Sequence, residues 1–227
     1  LMRLGKLFNA GHLAEVENQA RLLVERYPSC VSAWQLLGAS LHLQGKNGLP
    51  ALNKAVDLNP VSAAAHSNLG NALKDLGRFE DAVASYRRAI KLKPDLAGIY
   101  HNLGLALMEI REFSEAAASF RRALTLEPDN GETHNDLGNA LKDLGQLDDA
   151  VTSYLRALKI NPGYAIAHNN LGNVQKDLGQ LENALASYRR ALAIREKALG
   201  PEHADVAVTL NNLGALYAAQ RQLPRAE

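Results

Sequence analysis

Apolar residues recur along this chain at helical spacing, in short stretches that come in pairs. After His66, one helical face carries Leu69, Ala72, Leu73 and Leu76, and Gly77 follows. A second stripe comprises Phe79, Ala82, Tyr86, Ala89 and Ile90. Pro94 comes next, and proline cannot continue a helix interior. The pattern therefore predicts two helices joined by a tight turn and ended by a short link.

This paired pattern repeats along the chain. Similar copies begin at His66, Tyr100, His134 and His168, each 34 residues after the one before. We divide the chain into one array of repeats: a partial repeat at 1–30, full repeats at 31–62, 63–96, 97–130, 131–164 and 165–206, and a partial repeat at 207–227. A fixed period of this length predicts a solenoid of stacked helix pairs.

Two repeats depart from the 34-residue length. Repeat 31–62 is two residues short near Asn47–Gly48, and its Pro50 fits only the first turn of a second helix. Repeat 165–206 has 42 residues because the segment REKALGPEHADVA extends its second helix up to a Gly200-Pro201 break.

Small residues recur inside the predicted helices. Glycine recurs at one register position of the first helices: Gly38, Gly70, Gly104, Gly138, Gly172 and Gly214. The second helices carry alanine at one register position: Ala82, Ala116, Ala150, Ala184 and Ala226. A helical glycine costs about 1 kcal/mol relative to alanine, so we expect glycine to face alanine where two backbones approach, with Tyr and Phe filling the remaining space. Asp95, Asp129 and Ser29 are the predicted helix N-caps.

The Leu-Gly…Ala…Tyr/Phe…Ala…Pro pattern at this spacing resembles the tetratricopeptide repeat, and the resemblance covers essentially the whole chain. It implies an all-α, right-handed superhelical solenoid of antiparallel helix pairs, with the first helices lining a concave face. The 42-residue repeat resembles the longer repeats of kinesin light chains and of some bacterial signalling ATPases.

Composition and the absence of known motifs argue against several classes of function. Lys and Arg number 25 against 24 Asp and Glu, so a nearly neutral chain gives no reason to expect nucleic acid. The single Cys30 cannot form a disulfide framework or a cysteine metal site, and no run of about 20 apolar residues predicts a membrane span. No phosphate loop, HExxH motif or nucleophile elbow occurs. We therefore expect no enzyme activity, no cofactor and no metal, and assign a cytoplasmic location by default.

A row of polar residues on the first helices is the candidate binding feature. Asn68, Asn102, Asp136, Asn170 and Asn212 all precede the leucine of Leu-Gly, and Asn71, Asn139 and Asn173 lie three residues further on. An amide can donate to and accept from a peptide backbone at once. The row resembles the concave asparagine ladder of O-linked N-acetylglucosamine transferases, from which Asp136 departs. Binding a ligand and bonding to neighbouring repeats are both open interpretations and do not exclude each other.

Charged pairs lie further along the same helices: Lys74-Asp75, Lys142-Asp143 and Lys176-Asp177. They predict a groove of mixed charge and complete the peptide-binding set. The position that clamps a terminal carboxylate in chaperone-binding members of the family holds Ser67, His101, Asn135 and Asn169 here, which disfavours that mode. His66, His134 and His168 share their position with Trp34 and Tyr100, which indicates ring packing rather than a metal ladder.

These features predict a protein-interaction scaffold that binds an extended peptide or partner protein in its concave groove. The alternative is the substrate-recruiting arm of a larger enzyme such as a glycosyltransferase, with the catalytic domain outside this chain. A further alternative is self-association, because both ends look like cut repeats and cut repeats expose apolar helix faces.

Overall fold

The computed structural model describes residues 1–222 and is all-α over that part of the chain. The helices are α1 Met2–Asn9, α2 Leu13–Arg26, α3 Val31–Leu43, α4 Leu49–Leu58, α5 Ala63–Asp75, α6 Phe79–Leu92, α7 Ala97–Glu109, α8 Phe113–Leu126, α9 Gly131–Asp143, α10 Leu147–Ile160, α11 Ala165–Asp177, α12 Leu181–Leu199 and α13 Ala204–Gln222. Among these helices, none has the length and apolar character needed to cross a membrane.

The chain divides into two compact bodies. The N-terminal body comprises Leu1–Glu112 with α1 to α7, and the C-terminal body begins at Phe113 with α8. Most side chains of the predicted stripes are buried, although Leu76 is exposed. In the pair α5 and α6, for example, Ala72, Ala82 and Ala89 have almost no exposed surface.

Short turns join the two helices of a pair. Gly45, Gly77, Gly145 and Gly179 have a positive φ of 70–74° in these turns, where a side chain would be strained. The turn between α7 and α8 places Arg111 at this position with φ 64°. The conformation of these turns therefore favours glycine. Arg111 adopts the same conformation at a cost in free energy.

The nearest neighbour of three helical glycines is a tyrosine ring and not the expected alanine. A Cβ atom at Gly70 would lie 2.7 Å from Cε1 of Tyr86, and one at Gly138 would lie 2.6 Å from Cε1 of Tyr154. The corresponding contact of Gly172 is with Tyr188. All three tyrosines are fully buried. The glycine thus accommodates a large side chain four residues beyond the predicted alanine. Ala226 lies outside the described residues.

The predicted N-caps are wrong by one residue. Helices α3, α7 and α9 have Cys30, Leu96 and Asn130 at the N-cap. Of these three, only Asn130 uses its side chain, which accepts from the Thr133 N–H at 2.9 Å. The caps shift because the link after each proline includes one more residue than the pattern indicated.

The two repeats of irregular length differ from the others at different places. Helix α4 begins late, has ten residues and carries Pro50 in its first turn, as predicted. Gly48 precedes it in contact with the Gly38 carbonyl oxygen, so the shortened turn has no space for a side chain. At the other irregular repeat, α12 has 19 residues. Its extension buries Arg195, which donates to the Thr209 hydroxyl at 2.6 Å.

Candidate functional site

The polar residues predicted for binding form two rows on the first helices. We call Asn68, Asn102, Asp136, Asn170 and Asn212 the first row, and Asn71, Asn139 and Asn173 the second row. All eight side chains are half-buried. A side chain in such a position can bond to a neighbouring helix and still contact solvent.

In the N-terminal body, the oxygen of Asn71 joins three helices. It accepts from the Tyr86 hydroxyl at 2.8 Å and from the Asn102 amide at 3.0 Å. Tyr86 lies on the second helix of the same repeat, and Asn102 on the first helix of the next. Each such bond contributes about 1 kcal/mol, so the two rows stabilise the stacking of repeats.

The C-terminal body repeats this arrangement. The oxygen of Asn139 accepts from the Tyr154 hydroxyl at 2.8 Å and from the Asn170 amide at 3.2 Å. The Tyr188 hydroxyl likewise donates to Asn173 at 2.8 Å. Burial and the charge of Asp177 raise the pKa of Tyr188 to about 12. The tyrosines therefore stay protonated as donors at physiological pH.

Two buried amides belong to this network but are absent from the predicted set. Asn135 accepts from Asn170 at 3.1 Å, and Asn169 accepts from Asn212 at 3.0 Å. Both are less than a tenth exposed. They occupy the carboxylate-clamp position of the family, and their burial makes them structural here. Adjacent asparagines, Asn169-Asn170 above all, were the available signal in the sequence.

These hydrogen bonds leave one half of each bonded amide in the two rows unused, and Asn68 forms none among the described residues. No hydrogen bond within the described part of the chain involves the NH₂ groups of the second row, or the carbonyl oxygens of Asn102, Asn170 and Asn212. Across the described residues, no fully buried side-chain nitrogen or oxygen lacks a partner. The unused donors and acceptors therefore contact solvent.

The predicted charged pairs differ from repeat to repeat. Asp75 accepts from Lys74 at 2.9 Å and from His42 on α3 at 2.8 Å. Burial opposes ionisation, but these two bonds outweigh it and keep the pKa of Asp75 below its usual value. Lys142 lies 3.4 Å from Asp143. Lys176 and Asp177 form no ion pair among the described residues. Of the three pairs, only Lys74-Asp75 is bonded to another helix within the described part of the chain.

Asp136, the odd member of the first row, is a weaker acid than expected. Burial raises its pKa to about 6, the nearby Glu132 adds to the rise, and a 3.2 Å bond from the Asn135 amide opposes it. The residue is therefore ionised at neutral pH but titrates within a slightly acidic range.

The predicted binding residues of the N-terminal body line a cavity of about 420 Å³. Asn68, Asn71, Lys74, Asp75 and Asn102 line it together with residues that the sequence did not indicate: Phe8, Ala39, His42, Leu43 and Leu52. Such a mixture of apolar side chains and a few polar groups is typical of ligand sites. A second cavity, in the C-terminal body, includes His134, Arg156 and Lys159 and none of the predicted residues.

The recurring rings hold the links between repeats. The Nε2–H groups of His66, His134 and His168 donate to the carbonyls of Pro60, Pro128 and Pro162 at 3.0–3.1 Å. The indole N–H of Trp34 donates to Pro28 at 2.8 Å. At these four positions, a ring N–H group bonds the start of a first helix to the proline carbonyl of the preceding link. Burial lowers the pKa of His168, which favours its neutral form.

The paired helices and the repeating tyrosine–asparagine bonds define an α-helical repeat protein. The tetratricopeptide repeat profile matches residues 97–130, 119–152 and 163–227, and a further TPR repeat profile matches 70–110 and 138–179. Together these matches run without a gap from residue 70 to residue 227. The chain belongs to the tetratricopeptide repeat family.

Solved structures share this fold. A crystal structure of MamA has 25% identity and a TM-score of 0.68, covering 71% of this chain and 95% of its own. YrrB, described as a TPR protein with an unusual peptide-binding site, has 20% identity, a TM-score of 0.69 and coverage of 85% and 97%. A TPR protein fragment from Cytophaga hutchinsonii has 13% identity, a TM-score of 0.77 and coverage of 97% and 89%. No curated protein sequence matches significantly.

Proposed function

We propose that this chain is an interaction scaffold whose first helices bind an extended peptide through the unused halves of the amide rows. The observation that carries the proposal is the pairing of unused groups. Asn71 has an unused NH₂ and is bonded to Asn102, which has an unused carbonyl, and Asn139 and Asn170 are related in the same way. Each pair offers one donor and one acceptor, as each peptide unit of an extended chain requires.

The same bonds that hold the repeats together orient these groups. Asn71 is fixed through its oxygen by Tyr86 and Asn102, which directs its nitrogen away from both partners. A fixed amide loses little side-chain entropy on binding. Because a backbone is recognised, binding should depend weakly on the sequence of the peptide. The description of YrrB as having a peptide-binding site agrees with this class of ligand.

Exchanging the second-row amides for carboxylates tests the proposal. The Asn71→Asp variant keeps an oxygen for Tyr86 and Asn102 and loses only the NH₂ group. Binding of a fluorescein-labelled Gly/Ser-rich undecapeptide to the full chain is measured by fluorescence anisotropy. We expect a loss of about 1–2 kcal/mol, since a donor is removed and an acceptor then faces the peptide carbonyl.

The control is Asn53→Asp on the exposed surface of α4, which makes the same change in charge. It should bind the peptide as the unmodified chain does. Equal binding by Asn71→Asp would contradict the proposal, whereas circular dichroism shows whether the fold is kept. The recruiting-arm alternative uses the same groove and remains a prediction that the full-length open reading frame would decide.

A further inference from the structure

We infer that the cavity of the N-terminal body is a subsite for one large, uncharged, apolar side chain of the bound peptide. The inference rests on the proposed function, because the amide rows would hold the backbone on which that side chain is carried. It adds a local specificity to a mode of binding that is otherwise independent of sequence.

One wall of the cavity is apolar and comes from three helices. Phe8 of α1, Ala39 and Leu43 of α3, and Leu52 of α4 line it. Leu52 is 1% exposed, whereas Leu43 is 59% exposed. Covering the Leu43 surface with an apolar ligand group is favourable in proportion to the area removed from water. This wall also gives the short first helix a part in binding.

The part of the lining that comes from α5 and α7 carries hydrogen-bonding groups that suit a backbone. Asn68 forms no hydrogen bond within the described residues, and Asn71 and Asn102 present an unused NH₂ and an unused carbonyl. A peptide that places its main chain along these amides directs one side chain toward the apolar wall. The polar groups of the cavity therefore suit the main chain of one peptide residue, and its apolar wall suits the side chain of that residue.

The charged groups of the cavity neutralise one another. Asp75 is bonded to both Lys74 and His42, so it has no unpaired charge to offer a ligand, and neither do its partners. A charged side chain placed here would lose hydration without gaining a partner, which is costly. The cavity consequently favours leucine or a residue like it over aspartate or lysine.

A set of four labelled peptides tests the subsite with the full chain. Each is a fluorescein-labelled Gly/Ser undecapeptide with Leu, Ala, Asp or Lys at its centre. We expect the Leu peptide to bind at least about tenfold more tightly than the Ala peptide. The Asp and Lys peptides should bind no better than the Ala peptide.

Two matched variants locate the effect. Leu43→Ser should reduce the preference for Leu over Ala to about twofold or less and leave the affinity for the Ala peptide unchanged. Leu22→Ser is the control, because Leu22 is 66% exposed on α2 and does not line the cavity. It should preserve the full preference.

The possible failures are distinguishable. If none of the four peptides binds, the proposed function fails and the subsite fails with it. If all four bind equally, or if Leu22→Ser and Leu43→Ser behave alike, only the subsite is overturned. Sedimentation velocity of the same variants tests whether a second copy of the chain occupies the cavity instead of a peptide. Loss of self-association in Leu43→Ser, together with an unchanged peptide preference, would also overturn the subsite.

Discussion

Replacing Gly138 by alanine probes how the helix pairs are packed. The new Cβ atom would lie 2.6 Å from Cε1 of Tyr154 and 2.8 Å from its Cδ1 and Cζ. Carbon atoms prefer separations of about 3.5–4.0 Å, so the ring must move by about 1 Å. Tyr154 is fully buried, and its hydroxyl is bonded to Asn139 at 2.8 Å. The ring therefore cannot move without losing packing and that bond.

The expected magnitude combines three effects. Overpacking costs about 1–3 kcal/mol, and loss of the hydroxyl bond costs about 1 kcal/mol. Removing a helical glycine returns about 1 kcal/mol. We expect Gly138→Ala to lower the free energy of unfolding by about 1–3 kcal/mol. Urea titration followed by circular dichroism measures this, and hydrogen exchange in α9 and α10 shows whether the loss is local, since stacked repeats can open separately.

The same substitution at Gly214 is the control. Gly214 occupies the matching position of α13, but a Cβ atom there meets nothing within 4 Å among the residues that the structure describes. Gly214→Ala should therefore raise the free energy of unfolding by about 0.5–1 kcal/mol through helix propensity alone. If Gly138→Ala proves as stable as Gly214→Ala, the ring contact does not explain the glycine.

Three further changes test individual contacts. Tyr188→Phe should cost about 1 kcal/mol in urea unfolding, because the bond to Asn173 is lost. Bonds from Lys46 and Arg21 lower the pKa of Glu17 in the folded chain. The stability that these bonds contribute is therefore present above the unfolded pKa of 4.5 and is lost as the pH falls through the lower pKa of the folded state. An NMR titration of Lys46→Ala should show that pKa rising. Burial raises the pKa of Asp136 from 3.8 to about 6, so ionisation destabilises the fold increasingly between about pH 4 and 6. Asp136→Asn should gain up to about 3 kcal/mol over the unmodified chain at pH 8 but nothing at pH 3.

For the candidate binding residues, the sequence predicted their type and position better than it predicted their hydrogen-bond partners. The register identified both amide rows, and it left open whether the amides bond to a ligand or to neighbouring repeats. The structure shows that Asn71 and Asn139 bond to tyrosine and to the next repeat through their oxygens. The binding role of their nitrogens remains a proposal. A residue pattern cannot separate the two ends of one amide, because it contains no distances.

The apolar wall of the cavity had no signal in the sequence. Phe8, Leu43 and Leu52 belong to three different helices and share no register. They meet because α1 to α4 pack together, and such packing depends on the shapes of many side chains at once. His42 and Asp75, 33 residues apart, are paired for the same reason.

The sequence by itself determined the helices, the repeat and the positions of its irregularities. These follow from local rules: apolar spacing defines a helical face, proline and glycine end it, and a fixed period repeats it. Only the tertiary structure decided that Gly70, Gly138 and Gly172 contact tyrosine rings, and which half of Asn71 and Asn139 is bonded to the neighbouring helices. Both are contacts between different helices, and their geometry is set by how the helices stack rather than by the sequence within any one of them.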